Sequence, residues 1–275
     1  MISCGPDILV RQEHMTPQLT TKVARLSVEV NPPVARITLH NPPLNVIDIP
    51  VMEELASAIA EIEAQAKIAT IVFRAEGKCF SAGVDVAAHT PDQVSLMLEK
   101  FHAVIRAVVA TKKVTIAAVS GDCLGGGAEL AMMCDVVITA DDATWGFPEI
   151  TLGCYPPVAA TALSALIGQK RAADLILTGI TIFGAEASEI GLATRAVARD
   201  QVESAVSETL ERLQKLSPAA LAIAKKAIYA WDSIHFDKGL ARAEKIYVDE
   251  LMKTEDAKEG IRAFLEKRNP VWKGR

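Results

Sequence analysis

Residues 115–140 read TIAAVSGDCLGGGAELAMMCDVVITA. Residues 115–119 form a short unbroken apolar run, the mark of a strand buried on both faces. Residues 135–140, DVVITA, read as the next strand. Between them Gly125-Gly126-Gly127 opens a stretch that reads as a helix. Strand, glycine-rich turn, helix and strand make a parallel α/β unit. The span from Val114 to Ala140 is the most apolar of the chain, yet it holds Asp122, Glu129 and Asp135. A membrane helix needs about 20 mostly apolar residues with few charges, so a buried strand–loop–helix–strand is the better reading.

The same alternation continues on both sides. Residues 25–30 and 34–40 are β-branched runs separated by Asn31-Pro32-Pro33 and read as a strand pair. Over 51–66, Met52, Leu55, Ile59 and Ile62 recur at helical spacing. Residues 68–73 are another buried strand, and Thr90-Pro91 reads as the cap and first turn of a helix. Residues 158–178 are helical in pattern and 193–197 suit a further strand. Everything after about residue 200 reads as helix, with Ser217-Pro218 as a cap and first-turn proline. The expected organisation is a loose extension over 1–22, an α/β core over 23–215 and a helical region over 216–275.

With 50% apolar and 23% charged residues and a net charge of −5, the chain is neither disordered nor broadly basic. A nucleic-acid partner is therefore not expected. Residues 1–215 carry 17 basic and 25 acidic side chains, whereas 216–275 carry 12 and 9, so the tail suits an anionic ligand. The beginning, MISCGPDILVRQEHM, has neither a basic start nor an apolar run of signal length, so a cytoplasmic location is expected. Cys4, Cys79, Cys123, Cys134 and Cys154 are odd in number and include no CxxC pair, which predicts free thiols. No cluster of ligands has metal spacing.

Three segments have the means for chemistry. Residues 77–85, GKCFSAGVD, follow a buried strand, and their small residues let a ligand approach backbone N–H groups. Alone they read as a plain turn. Residues 121–130, GDCLGGGAEL, open a helix whose first N–H groups lack intrahelical partners. Glu129 lies three residues past Gly126, on the same helix face. Its alternative is a first-turn acid stabilised by the helix dipole. A phosphate loop fails, because no Gly-Lys-Ser/Thr follows. Residues 144–153, TWGFPEITLG, set Glu149 among apolar neighbours. Burial there would raise its pKa toward neutrality, while a solvated loop would not. Together, two carboxylates and two amide sites suit proton transfer beside a carbonyl whose charge the amides stabilise.

With NPPLNVID (41–48) and TEDAKEGIRAFLEKRNP (254–270), these segments stand in an order that resembles the crotonase superfamily, known through enoyl-CoA hydratase. The likeness spans about 23–275. It implies an α/β fold, a crotonase-like spiral of ββα units with a C-terminal α-helical region, assembled as a homotrimer or dimer of trimers. It implies Ala82 and Gly126 as oxyanion-hole N–H donors and Glu129 and Glu149 as the water-activating pair. Ser81, Gly83, Val84, Asp85 and Gly125 would surround the acyl-CoA thioester substrate. Leu44, Phe264, Lys267 and Lys273 would meet its CoA moiety, the lysines equally reading as a solvated face. No cofactor beyond that moiety is implied. Both glutamates together favour hydration over isomerisation.

Family hydratases usually carry Pro-Gly-x-Gly-Gly after the second glutamate. Here Tyr155-Pro156-Pro157-Val158-Ala159-Ala160 stands instead. The prolines remove N–H donors, and Trp145, Phe147 and Tyr155, with Pro156, would make the acyl end wide and aromatic. Residues 153–159 resemble hydratases of cyclohexa-1,5-diene-1-carbonyl-CoA. That makes a cyclic dienoyl-CoA the expected substrate. The alternatives are a straight-chain enoyl-CoA hydratase, an enoyl-CoA isomerase and a non-catalytic CoA-thioester binder. His89 and His102 fall near the acyl side without an assigned role.

Overall fold

The computed structural model describes residues 25–229 and 232–275. The expected extension over 1–22, with Cys4, lies outside the described residues. Ten strands follow in chain order. They are β1 (Leu26–Asn31), β2 (Val34–Leu39), β3 (Thr70–Ala75), β4 (Cys79–Ser81), β5 (Val114–Val119), β6 (Asp122–Leu124), β7 (Val136–Ala140), β8 (Thr144–Gly146), β9 (Thr181–Phe183) and β10 (Arg195–Val197). The five longer strands and the three-residue β10 make a sheet ordered β1-β2-β3-β5-β7-β10, parallel from β2 onward. The three-residue strands β4, β6, β8 and β9 make a second sheet. Each winding thus adds one long strand to the first sheet and one short strand to the second: β3 with β4, β5 with β6, β7 with β8. This is the expected spiral, and β5 is buried at all six positions, as an apolar run requires.

The helices are α1 (Ile49–Glu63), α2 (Val94–Ala110), α3 (Gly126–Met132), α4 (Pro157–Ile167), α5 (Gln169–Thr178), α6 (Gly184–Glu189), α7 (Val202–Gln214), α8 (Pro218–Tyr229), α9 (Asp232–Asp249) and α10 (Glu255–Leu265). Asp48 caps α1 by accepting the Val51 N–H at 3.1 Å, and Met52, Leu55, Ile59 and Ile62 are buried as their spacing predicts. Short 3₁₀ turns at Val86–His89 and Pro148–Leu152 flank the centre of the molecule, and α10 packs on both.

Three expectations are corrected. Thr90-Pro91 does not begin α2; the Thr90 carbonyl accepts the Gln93 and Val94 N–H groups in a turn that precedes it. The helical stretch 158–178 is two helices, because Gly168 at φ +83° breaks it. The tail is not helical to its end. Past Leu265 the chain folds back, and the Glu255 N–H donates to the Arg275 carbonyl at 2.7 Å. Cys79, Cys123, Cys134 and Cys154 are free and buried. No described helix is long and apolar enough to cross a membrane.

Candidate active site

Parallel pairing of β4 with β6 brings the loop 81–85 against the start of α3. Ser81 is fully buried, and its Oγ accepts the Gly83 N–H at 3.1 Å. Asp85 caps the turn Val86–His89 by accepting the Ala87 N–H at 3.0 Å. Both therefore shape the loop and neither lines the cavity beside it. The Ala82 N–H donates to the Leu44 carbonyl at 2.9 Å, so the expectation of a free donor at Ala82 is corrected. In this loop the N–H without a partner among the described residues belongs to Val84. A Cβ on Gly126 would lie 3.3 Å from Val84 N and 2.6 Å from Val84 Cγ2, and a Cβ on Gly83 would lie 3.3 Å from Gly126 N. Only glycines let these two amides lie side by side. Gly126 is the first residue of α3, where a helix N–H has no intrahelical partner.

Both glutamates face this place. Glu129, on α3, is buried, and its Oε1 accepts the Ala159 N–H at 2.9 Å. Burial pushes its carboxyl up to about 7, while hydrogen bonds from the Ala159 and Val158 backbone pull the other way. Glu149, on the turn Pro148–Leu152, is half-buried as a residue, yet its Oε2 is sealed from solvent and has no hydrogen-bond partner. Burial first, then the charge of Glu129, holds its carboxyl well above the usual carboxylate range. Gly125 stands at φ +51°, and a Cβ there would come 2.7 Å from Glu149 Oε1. Of the two, Glu149 is held the more strongly toward its protonated form, because no hydrogen bond reaches its Oε2 and the Glu129 charge adds to its burial.

Val158 and Ala159 lie in the first turn of α4. Pro156 and Pro157 do remove two N–H groups there, and Pro157 occupies the first helical position, which leaves Val158 and Ala159 as the donors toward Glu129. The cavity they border measures about 70 Å³. Gly83, Val84, Gly125, Gly126, Tyr155 and Pro156 line it together with both glutamates. Trp145 and Phe147 do not. Both are fully buried in the core, and the Trp145 indole N–H donates to Thr139 Oγ1 at 2.9 Å. The second aromatic wall is instead Tyr247 of α9, whose ring lies 5.2 Å from that of Tyr155. His89 and His102 line the cavity as well. Nothing local in the sequence marks Tyr247. The one trace is its spacing of three from Glu244, which bonds His102.

The expected CoA contacts Leu44, Phe264, Lys267 and Lys273 stay away from this cavity in the single chain. Leu44 and Phe264 are half-exposed, Lys267 ends α10 at φ +54°, and Lys273 pairs with Glu255 at 2.7 Å. Among the described residues no group of histidines, cysteines and carboxylates is arranged to hold a metal.

The sequence model of the enoyl-CoA hydratase/isomerase family matches residues 29–275. The chain belongs to the enoyl-CoA hydratase/isomerase family. It is accordingly an enzyme of the enoyl-CoA hydratase type, a hydro-lyase of enoyl-CoA thioesters. It is 36% identical over 256 residues to a probable enoyl-CoA hydratase of Bacillus subtilis, covering 90% of this chain and 98% of that one. It is 35% identical over 240 residues to the cyclohexa-1,5-dienecarbonyl-CoA hydratase of Thauera aromatica, covering 87% and 93%. An enoyl-CoA hydratase from Mycobacterium avium subsp. paratuberculosis superposes with a TM-score of 0.82 at 28% identity, over 91% of this chain and 99% of that one.

Proposed function

We propose that the Val84 and Gly126 N–H groups hold the thioester carbonyl of an α,β-unsaturated acyl-CoA while Glu129 and Glu149 add water across its double bond. One observation carries this reading: two buried carboxylates with raised pKa line the same cavity as two unpartnered amides. Glu129, kept ionisable by the α4 amides, takes a proton from water as the oxygen bonds to the β-carbon. The electron pair of the double bond moves through the α-carbon onto the thioester oxygen, where the two amides stabilise the enolate. Glu149 then gives its proton to the α-carbon. The products are a β-hydroxyacyl-CoA and a pair that has exchanged one proton between its members.

The acyl group favoured by this reading is a cyclic dienoyl, cyclohexa-1,5-diene-1-carbonyl. Residues 153–159 support it, as does the aromatic wall of Tyr155 and Tyr247. Identity does not separate the Thauera aromatica relative from the probable enoyl-CoA hydratases, so a straight-chain substrate is the second reading. The proposal includes self-assembly as a homotrimer or dimer of trimers in the cytoplasm. Exposed Leu177, Phe183, Ile223 and Ile228 support the assembly. Incubation with crotonyl-CoA and cyclohexa-1,5-diene-1-carbonyl-CoA, with products read by mass, tests the whole. Water gained on the cyclic diene alone supports the ring; water gained on crotonyl-CoA alone leaves a straight-chain hydratase.

A further inference from the structure

Among the described residues, three buried side-chain polar atoms have no hydrogen-bond partner: His102 Nε2, Glu149 Oε2 and Tyr247 OH. All three belong to residues lining the one cavity. A buried polar atom left unpaired is costly, so three in one place mark atoms kept for a ligand. The reaction accounts for Glu149. It gives no use to the other two.

Their chemistry is specific. His102 is fully buried on α2, and its Nδ1 lies 2.6 Å from Glu244 Oε1. Arg106 also donates to that carboxylate oxygen, at 2.9 Å, so the oxygen accepts from both side chains. Nδ1 therefore carries the hydrogen. Burial lowers the imidazole pKa and keeps the ring neutral, so Nε2 presents a lone pair. Tyr247 lies one turn along α9 from Glu244, on the same face. Burial keeps its phenol protonated, able to donate and to accept. One wall of the cavity thus offers an acceptor and a donor. A hydrocarbon chain satisfies neither, and a carbonyl satisfies only Tyr247. A hydroxyl satisfies both.

We propose that this wall is a hydroxyl subsite: the acyl group for which the cavity is shaped carries an O–H beyond the reacting carbons, donating to His102 Nε2 and accepting from Tyr247. The inference rests on the hydratase reading and departs from its favoured acyl group: cyclohexa-1,5-diene-1-carbonyl carries no O–H, so a hydroxyl at this wall selects a hydroxylated acyl chain instead. His102 Nε2, Tyr247 OH and Glu149 Oε2 are all sealed from solvent beside this cavity of about 70 Å³.

The test uses two saturated thioesters of equal shape, 4-hydroxybutanoyl-CoA and pentanoyl-CoA, which bind without reacting. Calorimetry on the whole enzyme should give the hydroxylated one at least about tenfold tighter binding. Tyr247→Phe, which deletes only the phenol oxygen beside Cys154, and His102→Asn, which keeps a donor near the Nδ1 position, should each bring the ratio toward one. Neither should weaken pentanoyl-CoA, and melting curves should match the parent. A ratio near one in the parent, no binding of either thioester, or variants that weaken both alike overturns the subsite. Turnover separates the two claims. If neither 4-hydroxybut-2-enoyl-CoA nor pent-2-enoyl-CoA gains water while the binding preference persists, the hydratase reading fails and the subsite stands.

Discussion

At the C-terminal end Glu259 receives Arg268 at 2.6 Å, Arg262 and the Val271 N–H at 3.0 Å, whereas Glu149 Oε2 in the cavity receives nothing. The same side chain is driven in opposite directions. The two arginines hold the Glu259 carboxyl far below the usual carboxylate range, and burial holds Glu149 far above it. The clasp closes the chain and saturates its carboxylate. The cavity withholds donors and keeps a proton available. Where hydrogen bonds are absent is thus as informative about function as where they are made.

The largest effect that would break this contrast is on rate. Glu129→Gln and Glu149→Gln should each lower kcat/KM for water addition by about 10²–10⁴, as loss of a proton-transfer group does. Both should melt no lower than the parent, because each removes a costly buried acid. Glu259→Gln should do the reverse, lowering the melting temperature and leaving kcat/KM in place. Next, Gly126→Ala should cost about 10²–10³ in kcat, because its Cβ would press on Val84 at the oxyanion donors. Circular dichroism should show the fold retained.

The pH dependence of stability sharpens the comparison further. Glu129 and Glu149 have folded pKa values raised above the ordinary 4.5. The stability they contribute is present below that value and declines as pH rises toward about 7. Each proton in excess in the folded state tilts stability by at most about 1.4 kcal/mol per pH unit, and both carboxyls contribute one. Glu149→Gln should flatten that decline in denaturant titrations. Glu259 is lowered instead, so its contribution is present above the ordinary carboxylate range and is lost as pH falls beneath it. Glu259→Gln should remove that acid-side loss. The smallest effect concerns Trp145→Phe, which should cost about 1 kcal/mol through its bond to Thr139 and leave substrate preference unchanged. A changed preference would return Trp145 to the acyl wall.

Much of this was legible in the sequence because it is local. Apolar runs marked β3, β5 and β7, and the spacing of Gly126 and Glu129 on α3 needs no tertiary knowledge. What was hidden depends on distant partners. Whether Ala82 or Val84 has the free N–H is decided by the Leu44 carbonyl, on a segment far back in the chain. Trp145 sits in a three-residue strand, too short for alternation to tell inside from outside. It turns into the core between Cys123 and Ile182. Tyr247 reaches the cavity, and Glu244 reaches His102 in its wall, from a helix about a hundred residues beyond Glu149, and the sequence near them reads as an ordinary amphipathic face.

The central claim is that the two buried carboxylates add water. Its most direct test is turnover of an enoyl-CoA in ¹⁸O-labelled water by the parent, Glu129→Gln and Glu149→Gln enzymes, with product mass as the readout. Incorporation of one labelled oxygen by the parent, abolished in both variants, is the predicted result. Loss in only one variant, or a shifted double bond without labelled oxygen, would contradict it.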